Sequence, residues 1–117
     1  MTDKIKFRVH FNKGKQYFDV HVYDAPRKFY AVNKCWAYWQ PYEHQRTRKG
    51  FFGTVALGEM DVALAEHELQ HLWINWIRCR KPGRITNQNE ERLVCLLDEI
   101  KHKFWMKWKK VKYGYTR

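Results

Sequence analysis

The apolar period of this chain shifts from alternating near its start to helical after Asp61, and that shift limits what it can fold into. Over residues 4–11, Ile5, Phe7, Val9 and Phe11 alternate with Lys4, Lys6, Arg8 and His10. Alternation puts successive side chains on opposite sides, so the segment predicts a strand with one buried and one wetted face. Residues 17–23 repeat the pattern with Phe18, Val20 and Val22 inward. The intervening Asn12-Lys13-Gly14-Lys15 has turn chemistry, so the two segments predict an antiparallel hairpin. After Asp61 the period becomes helical. Ala65, Leu69, Leu72, Trp73 and Trp76 make a broad apolar stripe running to about Cys79, with Asp61 as cap.

Between these regions the pattern is less regular. Asp24-Ala25-Pro26 reads as a helix start with Asp24 as cap, and the segment to Trp39 fits a short helix or a strand. Residues 40–50 are polar and basic around Pro41 and predict a loop, while 51–58 are β-prone. Lys81-Pro82-Gly83 ends the first long helix. A second helix begins near Asn87, with Glu90 three residues on as in a capping box. Leu93, Leu96, Leu97, Ile100 and Phe104 give it an apolar face to about Lys110. The expectation is an α+β fold, with a small antiparallel sheet of three or four strands packed against two principal helices. One domain spans 1–117: mainly strands over 1–58, a helix over 61–79, a second over 87–110, and a basic tail over 111–117.

A length of 117 residues suits one modest core. Hydrophobic residues at 44% exclude a wholly disordered chain. The formal net charge of +11 favours acidic partners, whether nucleic acid, an anionic surface or an acidic protein. Cys35, Cys79 and Cys95 form no CxxC pair, which excludes a disulfide framework and a cysteine-only zinc site. Reduced thiols, no apolar run long enough to span a membrane and no signal-peptide core predict a cytoplasmic protein.

The first long helix carries His67-Glu68-Leu69-Gln70-His71. Histidines at i and i+4 lie one above the other on a helix face, where both can reach one Zn2+ ion. Glu68, next to the first of them, can take a proton from water that the metal acidifies. The apolar surroundings from Val62 to Ile77 predict a buried His-Glu-His cluster that needs a partner, and a metal is one. A catalytic zinc needs three protein ligands. Glu90 and Glu91 lie at the start of the next helix, and two helices joined by a short connection pack antiparallel.

An HExxH helix, a short connection and a helix bearing a glutamate resemble the gluzincin metallopeptidases. The distance along the chain from His71 to Glu91 matches that family, and Asn89-Glu90-Glu91-Arg92 is similar to the glutamate region of minimal zincins of the ImmA/IrrE kind and of small phage-encoded zincins. The resemblance covers about residues 51–100. It implies a zinc-dependent hydrolase, a metallopeptidase acting on protein or peptide, in the host cytoplasm if phage-encoded. His67, His71 and Glu91 would be the metal ligands, with Glu90 the reserve choice for the third, and Glu68 the base. It also implies that the strand before the motif, Thr54 to Leu57, pairs with an extended substrate. Cys95 stands where such enzymes place an aspartate that orients a ligand histidine. His102, Tyr113 and Arg92 are the candidates for stabilising a transition state.

Residues 101–117 hold seven Lys/Arg and no acid. Lys101, Lys103, Lys107, Lys109, Lys110 and Lys112 interleave with Phe104, Trp105, Trp108, Tyr113 and Tyr115. Such a tail can bind nucleic acid or an acidic protein, or be the solvated end of a helix whose tryptophans pack inward. A basic binding module with a structural or vestigial metal is thus the alternative to an enzyme. His10 and His21 are assigned to the wetted side of the hairpin and His44 to a loop. Cys79 and Cys95 are assigned to the interior, as is the Trp36, Tyr38 and Trp39 cluster.

Overall fold

Alternating apolar residues make a hairpin of β1 (Lys4–Phe11) and β2 (Gln16–Tyr23), paired antiparallel as expected. In the computed structural model, residues 4–42, 49–80 and 83–113 are described. Asn12 and Lys13 both take φ 57° and Gly14 φ 80°, so the turn needs the left-handed conformations that asparagine and glycine adopt most cheaply. Phe7, Val9 and Phe11 of β1 and Phe18, Val20 and Val22 of β2 are buried on one face.

The ambiguous middle segment resolves into α1 (Pro26–Asn33) and β3 (Ala37–Pro41). Pro26 opens α1, where its missing N–H costs nothing. The N-cap is Ala25 rather than Asp24, and no side chain caps it. β4 (Phe51–Leu57) follows, then α2 (Val62–Arg78) and α3 (Glu90–Tyr113). Asp61 caps α2, its carboxylate accepting the Leu64 N–H at 3.0 Å. The α3 start differs from the Asn87 box. Thr86 and Asn89 bond reciprocally, Asn89 Oδ1 accepting the Thr86 N–H at 2.7 Å. Lys81 and Pro82 lie outside the described residues.

The α+β class and four strands stand, but the sheet is mixed. Its order is β1-β2-β4-β3. β3 and β4 pair antiparallel, and β4 enters between β3 and β2, running parallel to β2. A parallel pair needs a crossover of about a dozen residues or more, and α1 with β3 supplies it. The helices α2 and α3 cover one sheet face, with α3 over β1 and α2 over β3 and β4. The core lies between, built on Phe11, Phe18, Leu57, Leu69, Leu72, Ile100 and Phe104. Full burial of a side chain such as Phe104 contributes about 2–3 kcal/mol. Trp105 and Trp108 are partly buried against this core, so the aromatics of the basic segment pack inward.

Candidate metal and catalytic site

The polypeptide places the motif on the flank of α2 rather than beneath it. At about 100° per residue, Ala65, Leu69, Leu72 and Trp76 point into the core. Glu66 and Trp73 turn toward α3: the Trp105 indole N–H donates to Glu66 at 2.7 Å and the Trp73 indole N–H to the Leu93 carbonyl at 2.8 Å. His67 and His71 fall on the other flank. His71 shares a shallow depression with Trp39 of β3 and with Ile74, Asn75 and Arg78. Both histidines are solvent-exposed, which corrects the expectation of a buried cluster. Only Glu68 is buried, at 6% exposure.

The two imidazoles converge. Nε2 of His71 lies 3.1 Å from Nε2 of His67, with ring planes at 80°. Two Zn–N bonds of about 2.0–2.1 Å at a tetrahedral angle set their nitrogens about 3.3–3.4 Å apart. The pair therefore has nearly the bite of a zinc chelate, on a helix that fixes both backbones. Glu68 is the one charged side chain buried among the described residues, and no hydrogen bond or ion pair holds its carboxylate there. Burial raises its pKa, and the nearby His67 and His71 charges oppose the rise. Its carboxylate oxygens keep contact with solvent at the edge of the core, and a raised pKa beside two imidazoles makes Glu68 a candidate functional group.

The glutamates proposed as third ligand are not brought to the pair. Among the described residues no group of three His, Cys, Asp or Glu side chains is arranged to hold a metal. Glu91 lies beside Cys95, whose thiol donates to it at 3.5 Å, and that bond raises the thiol pKa. The physical reason is the face by which α2 meets α3: Glu66 and Trp73 make that contact, and the histidines project elsewhere. Lys101 is drawn into the same contact by an ion pair with Glu66 at 3.0 Å, and Lys103 pairs with Glu99 at 3.5 Å. Lys107, Lys109, Lys110 and Lys112 are exposed on α3.

Other expectations also change. Thr54 to Leu57 cannot receive a substrate strand, because β4 is hydrogen-bonded on both sides. The edge nearest the histidines belongs to β3. Cys79 and Cys95 are exposed, one at the α2 C-cap and one on α3 in a groove shared with Trp76 and the β1–β2 turn. Trp36 is 46% exposed and packs on Tyr30, ring centroids 4.4 Å apart, instead of entering the core. His102 and Arg92 are exposed on α3 and Tyr113 lies at its end, 61% exposed. His44 and Tyr115 lie outside the described residues. No helix among the described residues is long and apolar enough to cross a membrane. Comparison with protein-family models, with curated proteins and with solved structures finds no match.

Proposed function

We propose that this chain binds a zinc ion through His67 and His71 and acts as a zinc-dependent hydrolase on peptides in the cytoplasm, with Glu68 as the base. The observation that carries the reading is the 3.1 Å approach of the two Nε2 atoms. Zinc at such a pair supplies Lewis acidity that lowers the pKa of water toward neutrality. Glu68 contributes what the chain itself can do. Its carboxylate sits beside the pair in a drier setting than bulk water, and a raised pKa makes it the better proton acceptor. Peptide as the substrate class is supported by the β3 edge, which has no strand partner among the described residues and lies against the histidine flank. His67 and His71 supply two of the three protein ligands that a catalytic zinc needs, and among the described residues no third is arranged beside them.

Metal analysis after equilibration with zinc tests it. One zinc per chain is expected, lost in His67→Ala and in His71→Ala, and retained in Glu91→Gln. Glu68→Gln is expected to keep the metal and lose hydrolysis of a casein substrate by about 100-fold or more. A folded protein that takes up no zinc would sink the reading. Retained zinc with hydrolysis indifferent to Glu68 would leave the second reading, a basic binding module with a structural metal, which the +11 charge favours.

A further inference from the structure

The sheet face opposite α2 and α3 has a composition that neither the zinc reading nor the α3 lysines use. Cross-strand register sets its rows. Lys4 stands opposite Tyr23, Lys6 opposite His21, Arg8 opposite Asp19 and His10 opposite Tyr17. The rows continue into β4 as Ala56, Thr54 and Phe51. Every outward residue of β1 is thus cationic or imidazole, and the floor beside it is small or aromatic.

α1 covers one end of this face, where Phe29 packs on Tyr23 and Tyr38 with ring centroids 5.5 and 5.8 Å apart. The other end has an aromatic platform. Tyr17 contacts Phe51 at 5.5 Å, and Tyr42 contacts Phe51 at 4.8 Å. The Arg8 guanidinium lies 4.2 Å from the Tyr17 ring centroid and His10 lies 5.5 Å away. On β1 and β2 the single acid of the face is Asp19, and Arg8 pairs with it at 3.0 Å. The remaining cationic row is therefore not balanced by carboxylates on these two strands.

We infer that this outer face binds single-stranded nucleic acid, with Lys4 and Lys6 along the phosphates and Tyr17 stacking on a base. Charge complementarity is the first argument. Alternate residues of a strand repeat about every 7 Å, so β1 presents an evenly spaced cationic ladder to a polyanion. An acidic protein would satisfy the ladder, but a single strand would in addition use the Tyr17 ring, because unpaired bases stack on aromatic faces. A duplex presents phosphates but keeps its base faces covered. Burial first, and then the Lys4 and Lys6 charges, hold the His21 pKa below its ordinary value, and Asp19 opposes them. The inference does not rest on zinc binding, because the histidine pair lies on a helix on the other side of the sheet.

Fluorescence anisotropy with labelled oligo(U) and oligo(dT) of about twelve nucleotides, a length within the usual site sizes, tests this on the full chain. Affinity is expected to fall linearly in log–log form with salt. Lys6→Glu, an exposed substitution, should weaken binding about tenfold and flatten the salt slope by about one. Tyr17→Leu should weaken binding roughly tenfold while leaving the salt slope intact. Lys107→Glu with Lys110→Glu on α3 should change it little. The inference is overturned if neither oligonucleotide binds at low salt, or if a duplex or heparin binds as tightly. It is equally overturned if Lys6→Glu has no effect while the α3 pair abolishes binding.

Discussion

Gly53 shows how one residue can fix a site it does not touch. A Cβ there would overlap the Gln40 carbonyl oxygen and come within 2.5 Å of the Trp39 ring. Trp39 lies against Phe52, with ring centroids 5.7 Å apart, and its indole forms one wall of the depression that holds His71. Gly53→Ala is therefore expected to cost about 1–3 kcal/mol, the usual price of overpacking, and to disturb the histidine flank. Urea unfolding measures it; an unchanged midpoint would mean that Trp39 has room to move. The sequence identified His67, Glu68 and His71 through spacing alone, since i and i+4 on a helix must share a face. It could not tell that Glu68 is buried and the histidines exposed. A helix face is defined only once its neighbours are placed, and Glu68 sits at the boundary between the core and the β3 side.

Among elements, the contact between α2 and α3 decides most. Glu66 accepts the Trp105 indole N–H and pairs with Lys101. Burial alone would raise the Glu66 pKa, but the Trp105 bond and the Lys101 bond and charge outweigh it and hold the carboxyl below its ordinary 4.5. A depressed folded pKa means stability that is present above the unfolded value and lost as pH falls through the folded one. Glu66→Gln keeps an acceptor for Trp105 and loses the ion pair. It should lower stability by about 0.5–1 kcal/mol at pH 7, and the difference should vanish in acid below the folded pKa. Unfolding curves at pH 7 and pH 3 decide it, and a gap that persists undiminished would assign the loss to packing. The same contact keeps Glu91 beside Cys95 rather than beside the histidines. A short connection between helices implies antiparallel packing but not which faces meet, and a rotation of one residue position moves a ligand by about 100°.

At the scale of the whole molecule the charge is the dominant fact. A net +11 on 117 residues repels itself in the folded state more than in the expanded one. Screening should relieve this, so raising sodium chloride from about 0.01 to 0.15 M, which shortens the Debye length from about 30 to 8 Å, should raise Tm by roughly 2–5 °C. A flat or falling Tm would show that attractive pairs such as Arg8–Asp19 offset the repulsion. The fold also divides the surface. The histidine pair lies on the helical side and the β1 cationic row on the opposite sheet face. Each can therefore be altered without the other, and the two proposals fail separately.

The hairpin, both long helices, the Asp61 cap and the histidine pair are legible in the chain, because each follows from spacing within one segment. That β4 runs parallel to β2, that β3 holds the edge beside the histidines, that Cys79 and Cys95 are exposed, and that Glu91 lies beside Cys95 emerge only in the assembled fold. Those are relations between segments, set by which apolar faces meet when the core closes. Local periodicity carries no record of that choice.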